Sequence, residues 1–141
     1  DHSPQAADDA HRYHIDLVKN SATDTSTAHD TSVTLFDVKP LFTALLDGVA
    51  DGIDVGVIAR RFHDAMVDAI LLGAQAVRAL YGISTIALAG GVFLNRYLTK
   101  HAVQALKEDG FTVALSKQLP PNDGAVSFGQ AVVGCYVRHN R

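Results

Sequence analysis

A single cysteine and the lack of a long apolar run narrow the classes to which this 141-residue chain can belong. Cys135 has no second cysteine for an intrachain disulfide or a CxxC metal site. No apolar run reaches the roughly 18 residues that a membrane helix needs, and no signal-peptide pattern opens the chain. We therefore expect a cytoplasmic protein that neither spans nor binds a membrane.

The chain also has too little positive charge to attract nucleic acid. Its 12 Lys and Arg against 15 Asp and Glu give a formal net charge of −3, without a basic stripe. No Ser-His-Asp or Cys-His arrangement is visible, and Cys135 lies among small residues of an apolar segment, which favours core packing. The chain begins at Asp1 rather than Met, so we expect it to be part of a larger protein.

What remains is typical of one globular domain, since 48% of the residues are hydrophobic. Residues 1–32 are rich in Asp, Ser, Thr and His, which predicts a flexible polar tail or a variable insertion. One short element is expected there, around residues 13–18. Residues 33–141 are expected to form the folded lobe.

Helical and strand-like patterns alternate along that lobe. The long helix has apolar residues at every third or fourth position, and Asp54 is predicted to cap it. The predicted elements are a strand at 33–38, helices at 39–49 and 55–81, a strand at 84–89, a helix at 93–108, a strand at 111–115 and a helix at 125–137. This order predicts an α/β fold with a parallel sheet and flanking helices.

Two adjacent glycines, Gly90 and Gly91, stand between the buried strand predicted at 84–89 and the helix that follows. Open α/β sheets bind ligands at such positions, where N–H groups approach a phosphate and the helix dipole favours an anion. Asn95, one turn into the predicted helix, could donate to the same ligand. The alternative is a tight turn with Asn95 on a solvated face. Neither GxGxxG nor GxxxxGK[ST] is present, so no Rossmann or P-loop motif is identified.

A second loop, "PPNDG" at residues 120–124, follows the strand predicted at 111–115. Asp123 precedes a helix, so one interpretation is a helix cap. Because the loop follows the carboxyl end of a neighbouring strand, it would border the same crevice as the glycine pair. The other interpretation is therefore that Asp123 binds a divalent cation through a hard oxygen ligand.

Three motifs together resemble the C-terminal end of the HypF family of hydrogenase maturation carbamoyltransferases. They are "RRFHDAMVDAI", "IALAGGVFLNRYL" and "LPPNDGAVSFGQAVVG", and the resemblance covers about residues 35–138. It implies an actin, hexokinase and sugar-kinase (ASKHA) fold, of which residues 33–141 would be the C-terminal lobe. It also implies that Gly90, Gly91 and Asn95 contact ATP, and that Asp123 binds a divalent metal ion such as Mg, Fe or Zn.

For the full-length protein, the resemblance implies that ATP and carbamoyl phosphate form carbamoyl adenylate. The carbamoyl group would pass to the C-terminal cysteine of a partner, HypE, and become a cyanide ligand of nickel–iron hydrogenase. The remaining domains would be needed, so the chain alone should be inactive.

Some residues depart from the family pattern: Ala89 replaces a usual Ser and Ala125 a frequent Gly. The family's other metal ligands lie in a His-x-x-x-His motif, whereas HRYH at residues 11–14 has a different spacing and a polar setting. The role of His63, in the long helix, stays open. Two alternatives are a threonylcarbamoyladenosine tRNA-modifying relative and a noncatalytic nucleotide-binding or partner-docking module.

Overall fold

The computed structural model describes residues 13–21, 32–116 and 119–139. They belong to two compact units, of which unit 1 ends at Val77 and unit 2 begins at Arg78. The elements are β1 (Asp16–Ser21), β2 (Ser32–Asp37), α1 (Lys39–Ala50), α2 (Val55–Tyr81), β3 (Thr85–Leu88), α3 (Arg96–Glu108), β4 (Thr112–Leu115) and α4 (Val126–His139). The predicted alternation of helices and strands is confirmed: the bounds of α2 agree with the prediction, and the other boundaries differ by at most three residues.

Unit 1 is an antiparallel hairpin followed by helices. β1 pairs with β2, and α1 has Pro40 in its first turn, where a missing N–H costs no helical bond. Asp54 caps α2 as predicted, since its Oδ1 accepts from Gly56 N at 2.9 Å. The buried apolar side chains of this unit's core cluster are Tyr13, Ile15, Leu41, Ile58, Ala65 and Ala69.

The interpretation of residues 1–32 as one polar tail is wrong for residues 13–21. Tyr13 and Ile15 are buried, with 2% and 7% of their surface exposed, and a strand begins at Asp16. The missed signal is the period-two alternation of Tyr13, Ile15 and Leu17, which is typical of a strand with one covered face. The short element predicted around 13–18 is confirmed, whereas residues 1–12 and 22–31 lie outside the described residues.

Tyr13 places a hydroxyl inside this apolar core. Within the described parts of the chain, nothing forms a hydrogen bond with its Oη. A Cβ added to Gly48 of α1 would lie 2.7 Å from the same oxygen, so glycine leaves the space that the hydroxyl occupies. Burying a hydroxyl without a partner costs free energy, whereas the ring itself contributes apolar packing.

We therefore expect Tyr13→Phe to keep or raise the free energy of unfolding, by up to about 1–2 kcal/mol. Tyr13→Ala, which also removes the ring, should lower it by about 3–5 kcal/mol. Urea unfolding of the chain and its two variants measures both changes. A loss of more than about 1 kcal/mol in Tyr13→Phe would show that the hydroxyl has a stabilising partner.

Unit 2 contains a parallel pair of strands and the helix between them. β3 pairs with β4 from Thr85 opposite Thr112 to Leu88 opposite Leu115, so both strands end at the same edge. α3 buries one stripe of side chains: Leu98, Ala102 and Leu106. The sequence predicts that the strand at 84–89 is buried, but in β3 only Leu88 is buried, and Thr85 and Ala87 are exposed. The sheet has only two strands among the described residues, so it covers little of β3.

Arg78 joins the end of α2 to the end of α3 within unit 2. Its guanidinium donates to the backbone oxygen of Asp109 at 2.8 Å and to the Asp109 carboxylate. The same group lies 4.1 Å from the centre of the Phe111 ring, a cation–π distance. These contacts hold the turn that precedes β4 and so help to position the strand that leads into the second loop.

Candidate functional site

The predicted loops lie against each other at the carboxyl edge of the parallel strands. The first, which we call the glycine turn, comprises residues 89–92. The second, the Pro-Pro loop, comprises residues 119–125. Gly90 N donates a hydrogen bond of 2.5 Å to the backbone oxygen of Pro121. An added Cβ on Gly91 would lie 3.9 Å from Asn122 Cβ, in ordinary contact. The expectation that both loops lie together at the same edge of the sheet is confirmed.

Gly90 adopts a backbone conformation that is essentially restricted to glycine, with φ 111° and ψ 159°. Its N–H is already bonded to Pro121, so its main role is to shape the turn and join the loops. A short 3-10 helix, Gly91–Leu94, begins at the next residue. The N–H groups of Gly91 and Val92 start this helix and therefore have no partner within it.

Asn95 lies at a different position in its helix from the one predicted. α3 begins at Arg96, not at Phe93, and Asn95 is its N-cap: its Oδ1 accepts from Leu98 N at 3.1 Å. The prediction that Asn95 lies one turn into the helix is wrong, because the 3-10 helix intervenes and Asn is a preferred N-cap. A contact between its side-chain NH₂ group and a ligand stays a prediction.

Asp123 is not a helix cap. Asn122 takes that role, since its Oδ1 accepts from Gly124 N at 3.1 Å. The Asp123 side chain is exposed at the start of the 3-10 helix Asp123–Ala125, and it has no hydrogen bond or ion pair with any of the residues the structure describes. The sequence leaves two interpretations of Asp123 open, a helix cap and a metal ligand. The geometry excludes the helix cap.

The Pro-Pro loop has a glycine at position 124 because a side chain there would crowd its neighbours. A Cβ there would lie 3.1 Å from Asn122 Oδ1 and 3.2 Å from Pro120 Cγ, both tight approaches. Glycine therefore lets the chain close around the Asn122 cap. The Pro121 carbonyl, which joins the loops, was not predicted from the sequence, because a backbone acceptor carries no side-chain signal.

His63 and His14 belong to local structure in unit 1. The ring of His63 makes a 2.7 Å contact from Nδ1 to Ala59 O of the same helix, and it meets the Phe62 ring edge-on. His14 Nε2 lies 3.7 Å from Asp16 Oδ2 with both side chains exposed, while His11 falls outside the described residues. Nowhere in the described ranges do three His, Cys, Asp or Glu side chains form a group that could hold a metal ion.

The helices of the described residues also include no candidate for a membrane span, since none is both long and apolar enough.

Comparison with protein families gives a match over residues 5–130 to the model described as "Carbamoyltransferase, Kae1-like Domain, second subdomain". A carbamoyltransferase HypF from Synechocystis is 37% identical over 102 residues, which are 72% of this chain and 12% of that protein. HypF2 of Cupriavidus necator is 37% identical over 75 residues, which are 53% of this chain and 9% of that protein. The chain thus spans a small part of the curated relatives it matches.

A solved structure gives the same result at the level of the fold. The crystal structure of full-length HypF in the phosphate- and nucleotide-bound form matches with a TM-score of 0.75 and 26% identity. The match covers 90% of this chain and 16% of that one. The fold described above is therefore that of one segment in a much longer protein.

Proposed function

Because the chain belongs to the family of Kae1-like second subdomains of carbamoyltransferases, we propose that it forms one lobe of a nucleotide-binding carbamoyltransferase domain. We call the longer protein that would contain it the parent protein. The similarity to full-length HypF supports this proposal. We further propose an ASKHA arrangement, in which a second related lobe closes over the nucleotide, and a cytoplasmic location.

The observation that carries the proposal is the bond from Gly90 N to Pro121 O. It joins two loops that follow neighbouring parallel strands, where open α/β sheets bind ligands. The N–H groups of Gly91 and Val92 are the donors we assign to a phosphate of ATP, and Gly90 gives the turn its shape. The edge is open enough for this role: a Cβ on Gly90 would meet nothing within 4 Å.

In the proposed reaction, ATP, carbamoyl phosphate and one water molecule yield carbamoyl adenylate with release of pyrophosphate and phosphate. The sulfur of the C-terminal cysteine of HypE then attacks the carbamoyl carbon, and AMP leaves. This lobe binds and orients the nucleotide. Donors fixed in position stabilise the charge that develops on phosphate oxygens without having to reorganise during the reaction.

Asp123 fits a divalent metal ion as one ligand of several. Its carboxylate is exposed in the Pro-Pro loop, which is hydrogen-bonded to the glycine turn, and the helix cap is supplied by Asn122 instead. The described residues do not provide a complete ligand set, so the others would come from elsewhere in the parent protein. A bound cation would supply charge neutralisation at the phosphates. Mg, Fe and Zn all accept a carboxylate oxygen.

Gly91→Ala in the parent protein tests the nucleotide role without disturbing the fold. The added methyl meets Asn122 Cβ at an ordinary distance, and the backbone of Gly91 is not in the left-handed region. The methyl does, however, stand beside the N–H groups assigned to phosphate. We expect ATP affinity, measured by calorimetry, to fall about tenfold or more, with an unchanged midpoint of thermal unfolding.

Gly134→Ala is the matched control, because an added Cβ there meets nothing within 4 Å and the residue lies in α4, away from the two loops. It should bind ATP as the unchanged protein does. If Gly91→Ala also binds ATP with unchanged affinity, the glycine turn does not contact the nucleotide and the proposed site is wrong.

A further inference from the structure

The hydroxyl of Thr99 forms a hydrogen bond that leaves its own helix. Thr99 lies in the first turn of α3, and its Oγ1 donates to the backbone oxygen of Phe93 at 2.8 Å, six residues back along the chain. A Thr hydroxyl within a helix usually bonds a carbonyl three or four residues back. Thr43 of α1 does so, since its Oγ1 donates to Lys39 O at 3.0 Å. The Thr99 bond instead joins α3 to the 3-10 helix Gly91–Leu94.

The Phe93 oxygen needs this donor because helical geometry is interrupted at the next residue but one. Asn95 has an extended backbone, with φ −69° and ψ 109°, so the 3-10 helix does not continue into α3. Among the described residues no backbone N–H donates to Phe93 O. A partly buried carbonyl without a partner costs free energy. The Thr99 hydroxyl satisfies it, and the Thr99 N–H also donates to Asn95 O at 3.0 Å.

We propose that Thr99 is a positioning residue for the nucleotide, an inference that rests on the proposed function. The glycine turn is held on one side by its bond to the Pro-Pro loop and on the other by Thr99, acting through Phe93. Phe93 is itself bonded to the turn, since its N–H donates to Gly90 O at 3.1 Å. The N–H groups assigned to phosphate, those of Gly91 and Val92, lie between these two attachments.

The 3-10 helix needs support from outside because it is short. It has four residues, and a run of this length is held by few bonds, with poorer geometry than those of an α-helix. A segment that becomes ordered only when its ligand arrives loses part of the binding free energy to that ordering. Donors that are fixed beforehand do not. Thr99 therefore strengthens nucleotide binding through Phe93, without contacting the nucleotide itself.

The test compares Thr99→Val and Thr99→Ser in the parent protein by ATP calorimetry. Valine replaces the hydroxyl by a methyl group at nearly unchanged shape, and the Kd for ATP should rise about fivefold or more. Without ATP, hydrogen–deuterium exchange of residues 91–95 should be faster in this variant. Serine keeps the hydroxyl, so Thr99→Ser should bind ATP within about twofold of the unchanged protein. Normal binding by Thr99→Val, or an equal loss in Thr99→Ser, would overturn the inference.

Thr43→Val is the matched control for the loss of a threonine hydroxyl. It makes the same substitution and also removes a bond to a backbone oxygen near the start of a helix, but Thr43 lies in α1 of unit 1, outside both loops. It should leave ATP affinity unchanged. Equal losses of affinity in Thr43→Val and Thr99→Val would attribute the effect to reduced stability and overturn the positioning role.

Gly91→Ala separates this inference from the proposed function on which it rests. If Gly91→Ala weakens ATP binding and Thr99→Val does not, the nucleotide site stands and only the positioning role is lost. If Gly91→Ala binds normally, the proposed site is wrong, whatever Thr99→Val does. Where both weaken binding, Thr99→Val should add less than about twofold in the Gly91→Ala background, because both act on one turn. Fully additive losses would show that Thr99 acts elsewhere and would overturn the inference.

Discussion

Asp123→Ala in the parent protein is expected to reduce carbamoyl-phosphate-dependent exchange of labelled pyrophosphate into ATP by about 100-fold or more. The carboxylate does not cap the helix, because Asn122 does, so its removal should leave the fold intact. The expected loss is that of a metal ligand beside the phosphates. An unchanged unfolding midpoint together with the lost exchange would separate the catalytic effect from misfolding.

Two substitutions control for this variant. Asp47→Ala removes another exposed carboxylate, from α1 in unit 1, and should leave exchange unchanged. Asn122→Ala removes the cap itself and should lower the free energy of unfolding by about 0.5–2 kcal/mol. If Asp123→Ala exchanges pyrophosphate normally, Asp123 holds no metal ion needed for adenylate formation, and the metal assignment is wrong for that step.

Gly90→Ala in the parent protein is expected to cause a large loss of ATP affinity. At φ 111° and ψ 159° an alanine costs on the order of 1–3 kcal/mol, and relief of the strain would move the N–H away from Pro121 O. The two loops would then separate. We expect ATP affinity to fall by about tenfold or more, together with a lower unfolding midpoint.

Gly82→Ala is the matched control for backbone strain. Gly82 also has a positive φ, 68°, and a Cβ there would meet nothing within 4 Å, but it lies after α2 and outside both loops. We expect it to lower the unfolding midpoint and to bind ATP normally. Equal losses of ATP affinity in both variants would mean that reduced stability, not the glycine turn, causes the effect.

The sequence predicts the frame of this site well, because each element has a local cause. Asp54 marks the start of α2, and Gly82, with its positive φ, marks its end. Because β3 and β4 are parallel, the loops after them had to begin at one edge, and the structure places them in contact. The motif residues Gly90 and Asp123 thus come to neighbouring loops for reasons visible in the chain itself.

What the sequence does not predict depends on contacts between distant residues or on competition between similar local structures. Whether Asn122 or Asp123 caps the turn is decided by loop geometry, since both residue types are good caps. Likewise, the 3-10 helix before Asn95 follows from the Gly90 conformation. The burial of Tyr13 depends on a core formed with α1 and α2, which a polar neighbourhood in the sequence conceals.

Hydrogen–deuterium exchange of the parent protein with and without ATP tests the proposed nucleotide site most directly. If the glycine turn and the Pro-Pro loop hold one nucleotide, exchange at residues 89–95 and 119–125 slows together when ATP binds. Gly90→Ala should abolish the slowing in both loops at once. ATP that binds the parent protein while both segments exchange at unchanged rates would contradict the proposed site.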